Sequence, residues 1–296
     1  MVTRRNFFKL ASLSACTCLT GTASASESKD PSPDVLGMLT DISLCVGCRS
    51  CEAACNKINE LPEPDRPFDD LSVLDKPRRM DQKVYTIVNR YPSTTKRGDA
   101  VNVKFQCMHC DHPACVSACL LGALRKEKEG PVTWTGWKCM GCRYCMVACP
   151  FQVPTYEYDK GIGPRVMKCT MCYPLVKEGK TPACAAACPM QAITFGPRAK
   201  LLEIARDRIR KNPDRYVNHI YGEHEVGGTS WMYIAPQAFD RNMGFLKLSE
   251  DAPPALTESI QHGVFKYFIP PVLLYSGLGA LMYLTRGKEE HSGESA

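Results

Sequence analysis

Cys139-Met140-Gly141-Cys142-Arg143-Tyr144-Cys145-Met146-Val147-Ala148-Cys149-Pro150 decides how the rest of this chain is read. Three cysteines at spacing three, a fourth soon after and a proline directly behind it form a run that holds an iron–sulfur cluster. A cubane needs four soft thiolates converging on one small volume. A tight loop supplies three of them, and a small residue such as Gly141 lets the backbone come close. The proline then turns the chain away.

Working outward, 16 of the 18 cysteines fall into four such groups. Group one is Cys45, Cys48, Cys51 and Cys55; group two is Cys107, Cys110, Cys115 and Cys119. Group three is the run above, Cys139, Cys142, Cys145 and Cys149; group four is Cys169, Cys172, Cys184 and Cys188 before Pro189. Groups one and three share Cys-x-Gly-Cys-Arg-x-Cys-x-x-Ala-Cys, and groups two and four share a Cys-x2-Cys pair, a longer gap and Cys-x2-Ala-Cys. The order A-B-A′-B′ is an internal duplication. It predicts an α+β fold, a duplicated two-cluster ferredoxin-like body with sparse short strands and helices. Zinc and disulfides compete for the same thiols. Group four alone would pass as a zinc site, but three cysteines at spacing three crowd a tetrahedral ion, and disulfides inside such a run would be strained.

Composition excludes little else. The net charge of +6 over 296 residues, with no basic run, gives no nucleic-acid footprint. No Cys-x2-Cys-His run points to covalent haem, and no Gly-x-Gly-x-x-Gly or phosphate-loop signal points to flavin, nicotinamide or nucleotide. No cysteine of the sixteen is left over for a nickel–iron site.

Both ends carry targeting signals. Arg4-Arg5, the apolar stretch from Leu10 and Ala23-Ser24-Ala25 predict a twin-arginine export signal over 1–25. Leu13-Ser14-Ala15-Cys16 also fits a lipoprotein cleavage box. The twin-arginine route carries folded proteins, which suits clusters assembled in a reducing compartment before export. Residues 264–285 are apolar enough to predict one C-terminal transmembrane helix, with Arg286 and Lys288 opening a cytoplasmic tail over 286–296. Between the ends lie a polar, Pro-rich lead-in (26–40), the four-cluster domain (41–200, with an insertion over 56–104) and a helical and irregular extension (201–263). Strands are expected at Val84–Asn89, Val132–Trp137 and Ala192–Phe195, and an amphipathic helix over Lys200–Lys211.

The signal, the order of the four groups and the single C-terminal helix resemble the periplasmic iron–sulfur subunits of membrane-bound hydrogenases. They are also similar to the corresponding subunit of the high-molecular-weight cytochrome complex of sulfate reducers. Besides the run from Cys139 to Phe151, Arg66-Pro67-Phe68-Asp69-Asp70-Leu71 and Tyr221-Gly222-Glu223-His224-Glu225 carry the resemblance. The wider superfamily, that of dimethyl sulfoxide reductase iron–sulfur subunits, includes the electron-transfer subunits of molybdenum oxidoreductases. The resemblance implies that the fourth cysteine of each group serves a neighbouring cluster. One cluster then takes Cys45, Cys48, Cys51 and Cys188, and its mate Cys169, Cys172, Cys184 and Cys55. A second pair takes Cys107, Cys110, Cys115 and Cys149, and Cys139, Cys142, Cys145 and Cys119. Spacing alone leaves ligation within each group open. With all sixteen positions cysteine, four 4Fe–4S clusters are expected, and group one departs from the pattern only in ending Cys55-Asn56.

Function follows as expectation: a non-catalytic electron-transfer subunit at the periplasmic face of the inner membrane. By resemblance, its partners are a periplasmic hydrogenase or multihaem cytochrome c and a multi-helix, quinone-interacting membrane subunit, with lipid around the C-terminal helix. The alternatives are the electron-transfer subunit of a molybdenum oxidoreductase and, more distantly, a zinc-binding structural protein. His109 and His112 are expected to tune or shield the group-two cluster, and His262 lies beside the anchor.

Overall fold

The computed structural model describes residues 35–95, 98, 100–255, 257 and 269–289. The export signal with Cys16, most of the lead-in, His262 and the last seven residues of the tail lie outside the described residues. Ser28–Pro254 forms one unit, and the C-terminal helix belongs to another.

The central sheet of the first unit has three strands: β1 (Leu36–Asp41), β8 (Ile193–Pro197) and β9 (Trp231–Ile234). β1 runs in the middle, antiparallel to β8 and parallel to β9, with Met38 opposite Phe195 on one side and Trp231 on the other. Residues 36–40 were expected to close the flexible lead-in. They are instead the strand on which the unit is organised, because Met38, Leu39 and Thr40 are apolar or small enough to be buried on both faces. Strand alternation sorts the sheet's side chains. Leu39, Met232 and Ile234 face one helix, while Met38, Trp231 and Tyr233 face the cysteine-bearing side.

That helix spans Arg198–Lys211 and buries Leu201, Leu202, Ala205 and Ile209, the face expected from their spacing. Burying each of the three larger side chains is worth about 1.5–3 kcal/mol. Regular structure elsewhere is short: hairpins β2–β3 (Ile87–Tyr91 with Val101–Phe105), β4–β5 (Leu124–Lys126 with Val132–Trp134) and β6–β7 (Thr155–Tyr156 with Val166–Met167). The strand expected at Val84–Asn89 begins at Ile87, since Val84 pairs locally with Asp81. The one expected to Trp137 stops at Trp134 and gives way to a 3-10 turn, Gly136–Lys138.

A C-terminal helix spans Ile269–Glu289, four residues past the expected end at 285, and residues 264–268 of the expected span lie outside the described residues. Among the described residues, however, no helix is long and apolar enough to cross a membrane. Within this helix only Ile269–Thr285 is uncharged. At 1.5 Å per residue that run spans about 26 Å, short of a hydrocarbon core of about 30 Å.

Candidate cluster-binding site

The duplication is repeated in the backbone. In group one, Cys45 ends a 3-10 turn (Ile42–Leu44), Gly47 has φ +73°, and Arg49 sits left-handed ahead of helix α1 (Ser50–Ile58). Group three copies this: Cys139 ends the turn Gly136–Lys138, Gly141 has φ +76°, and Arg143 precedes a helix (Tyr144–Ala148). Both glycines are crowded as well as left-handed. A Cβ on Gly47 would lie 2.6 Å from Asn102 Oδ1, and one on Gly141 2.6 Å from Tyr156 Oη. Groups two and four also match. Pro113 and Pro182 start the short helices Ala114–Ser117 and Ala183–Ala186, carrying Cys115 and Cys184. Their last thiols accept alike, Cys119 Sγ from Ala123 N at 3.2 Å and Cys188 Sγ from Ala192 N at 3.3 Å.

All sixteen described cysteines are free thiols. The fold gathers them into quartets that cut across the sequence groups. Cys45, Cys48, Cys51 and Cys188 line one cavity. Cys55, Cys169, Cys172 and Cys184 line a second. Cys119, Cys139, Cys142 and Cys145 line a third. Cys107, Cys110, Cys115 and Cys149 make a fourth set, in which Cys107 and Cys149 act electrostatically on both Cys110 and Cys115. Sheet pairing causes the exchange: β1 ahead of group one pairs with β8 behind group four, and α1 packs on Ala183–Ala186.

The quartets follow one another through space. Cys51 of the first neighbours Cys184 of the second. Cys169 of the second neighbours Cys107 of the next, and Cys115 there neighbours Cys145 of the last. Cys48 and Cys142, in the outermost two quartets, are the exposed thiols among the sixteen.

Burial raises Cys45 and Cys145 to about 11 and Cys51, Cys115 and Cys169 to about 12. These five therefore stay protonated and unreactive until a metal centre displaces the protons. The donor set fits a cluster. Each quartet is all sulfur, and backbone N–H groups already point at three of the sulfurs, Met171 N to Cys169 Sγ at 3.3 Å being the third. Zinc–sulfur bonds of about 2.3 Å would pull four sulfurs onto a single ion. Among the described residues no group of His, Cys, Asp or Glu converges so tightly.

His109 is fully buried between Cys107 and Cys110. Its Nδ1 accepts from Val132 N at 2.8 Å, so the ring carries its proton on Nε2, which has no partner among the described residues. Burial, reinforced by Lys168, Lys126 and Lys104, holds this imidazole well below its ordinary pKa and keeps it neutral. A buried donor with no acceptor is costly unless a sulfide or thiolate takes it. His112 is half-buried.

Two segments that carried the resemblance prove to be braces. Arg49 donates to the carbonyls of Pro67 (2.7 Å) and Asp70 (3.0 Å) and pairs with buried Glu52. Glu52 in turn accepts from Arg78 and from Val88 N, both at 2.6 Å, tying the insertion to group one. In the other segment, Glu225 accepts from Gly222 N and pairs with His219, each at 2.7 Å.

Residues 99–198 match the model of the 4Fe-4S dicluster domain. Over 98% of this chain and 98% of the relative, the sequence is 33% identical to the hydrogenase-2 operon protein HybA of Escherichia coli O157:H7. The chain belongs to the iron–sulfur electron-transfer subunit family. The sequence is also 32% identical to the nitrate-inducible formate dehydrogenase iron–sulfur subunit of Escherichia coli K12, over 86% of this chain and 88% of that relative, and 44% identical to a protein of Nitratidesulfovibrio vulgaris Hildenborough, over 98% of this chain and 79% of that relative. As an iron–sulfur electron-transfer subunit with a 4Fe-4S dicluster domain, the chain is a 4Fe–4S protein.

Sequence reasoning passed over three cations around the cysteines, buried Lys104 and Lys168 and half-buried Lys126. Asn102, Lys104 and Gln106 alternate along and just beyond β3, a pattern that reads as a solvent face. Here that face is turned inward.

Proposed function

We propose that the chain relays electrons through four 4Fe–4S clusters, one per quartet, with the fourth cysteine of each sequence group serving the neighbouring centre. The clusters are held by Cys45, Cys48, Cys51 and Cys188; by Cys55, Cys169, Cys172 and Cys184; by Cys107, Cys110, Cys115 and Cys149; and by Cys119, Cys139, Cys142 and Cys145. The observation that carries this reading is the gathering of sixteen free cysteines into four all-sulfur sets in one spatial succession. When bound, the clusters take up and release one electron at a time. The protein's own work is to space them, exclude water and aim N–H dipoles at the sulfurs. No substrate bond is made or broken in this chain.

On this reading, electrons pass at the two ends, beside Cys48 and Cys142. The partners are a hydrogenase or multihaem cytochrome and a quinone-interacting membrane subunit, and the location is the periplasmic face of the inner membrane after twin-arginine export. The hydrogenase-2 relative supports the first partner. The C-terminal helix, with an apolar, exposed surface from Val272 to Leu284, supports membrane association. The formate dehydrogenase relatives favour a second reading, the electron-transfer subunit of a molybdenum enzyme. Anaerobic purification from membranes, with iron and sulfide counted and companions identified, tests both. About sixteen irons with a hydrogenase or cytochrome subunit support the first reading, a molybdenum subunit the second. Zinc in place of iron overturns both.

A further inference from the structure

Lys104 lies on β3 and is 2% exposed. It lines both the cavity of Cys45, Cys48, Cys51 and Cys188 and the cavity of Cys55, Cys169, Cys172 and Cys184. The thiols that act on its charge are Cys184, Cys51, Cys169 and Cys55, three from the second set and Cys51 from the first. No carboxylate is paired with it in a salt bridge among the described residues.

The ammonium is held in place from the other side. Lys104 Nζ donates to Gln106 Oε1 at 2.8 Å and sits 4.4 Å from the centre of the Trp231 ring. Gln106 Nε2 donates to Tyr233 Oη at 2.6 Å, and Tyr233 Oη donates back to the Lys104 carbonyl at 2.8 Å. Trp231 is itself fixed by Nε1 donating to Thr40 Oγ1 at 2.9 Å. Neutral groups and an aromatic face thus locate the charge but do not cancel it. A buried cation without a counter-ion is expensive, and the anionic charge available to balance it is that of the thiolate-ligated centres on either side.

We propose that Lys104 is a shared potential-setting residue, whose single fixed positive charge stabilises the reduced state of both clusters flanking it and so separates that pair from the other two. The inference rests on the four-cluster reading above. Its physics is Coulombic: reduction adds a negative charge to a cluster, and a cation nearby in a water-poor interior favours that state. The other two sets have different neighbours. Lys168 lies near Cys115, and Lys126 near Cys110, where Lys126 pairs with Asp111.

The test is an EPR-monitored redox titration of Lys104→Met in the intact complex, with iron counted first. The expected result is at least a tenfold fall in the one-electron reduction equilibrium of two of the four clusters, equal to 59 mV each. The other two should stay unchanged, and Lys104→Arg should restore the wild-type values. A full iron content with unshifted potentials, or an equal shift of all four, overturns the proposal while leaving the four-cluster reading standing. Loss of iron in the wild-type protein would instead sink that reading. If Lys104→Met does not load, pulsed EPR on the ¹⁵N-lysine-labelled wild type decides: a nitrogen coupling on the two clusters flanking Lys104, lost in Lys104→Arg, supports the proposal, and no coupling overturns it.

Discussion

Arg49 and Arg143 share one left-handed backbone conformation, φ 59° and 60°, each one residue ahead of the helix that carries its group's third cysteine. Their side chains do different work. Arg49 is buried and braces Glu52, Pro67 and Asp70. Arg143 is exposed and lies over the rings of Tyr156 and Tyr158. Glycine relieves the backbone at either position by about 1–2 kcal/mol. Arg143→Gly should therefore keep its clusters and its thermal midpoint. Arg49→Gly leaves buried Glu52 with Arg78 alone as its cation and removes the bonds to the Pro67 and Asp70 carbonyls; hydrogen bonds to charged groups are worth about 1.5–3 kcal/mol each, so the change should be a net loss. Thermal bleaching of the visible iron–sulfur absorbance compares the two.

The exchange of fourth cysteines makes a prediction that ligation within groups does not share. Cys55→Ala and Cys169→Ala should remove the same EPR signal, although the residues belong to different sequence groups. Cys55→Ala and Cys51→Ala should remove different ones. If Cys55 and Cys51 variants lose one common signal, the exchange is wrong.

Crowding at the left-handed glycines should be measurable. Gly163 has φ +63° and open space where a Cβ would sit, with no atom within 4 Å, so Gly163→Ala carries backbone strain alone, about 1 kcal/mol. Gly47→Ala adds a 2.6 Å contact with Asn102, which is held by its own bond to the Cys45 carbonyl at 3.2 Å. Gly47→Ala should lose at least twice as much stability as Gly163→Ala and lower the iron content. Equal midpoints for the two variants would show that Asn102 moves aside freely.

Glu157 sets a pH dependence of its own. Arg165, with Lys160, holds its carboxyl down to about 2 from an ordinary 4.5. A depressed carboxylate stabilises the fold above its unfolded pKa, and the contribution fades as pH falls toward its folded pKa. Because both cations are half-exposed, screening leaves on the order of 1 kcal/mol. Glu157→Gln should lower the midpoint near pH 6, and the gap from wild type should narrow toward pH 3. A gap that widens with acid contradicts the assignment.

Much of the cysteine site was legible in the sequence because its chemistry is local. Cys45 to Cys51 and Cys139 to Cys145 lie within seven residues, so spacing alone says what the loop can wrap. The helix around Leu201, Leu202, Ala205 and Ile209 was legible for the same reason, an unbroken period of 3.6. The central strand at Leu36–Asp41 was not, because its neighbours β8 and β9 come from far along the chain. Of the span expected over 264–285, the described helix begins at Ile269, and among the described residues no helix is long and apolar enough to cross a membrane.

The sequence by itself determined the four cysteine groups and their duplication, since each depends on residues a few bonds apart. Tertiary structure alone decided which thiols share a cavity, the order in which the quartets follow one another, and that the polar face of β3 turns inward to place Lys104 between two of them. The reason is distance along the chain. Cys45 and Cys188 meet only because β1 pairs with β8, and no local pattern records a contact that the sheet creates.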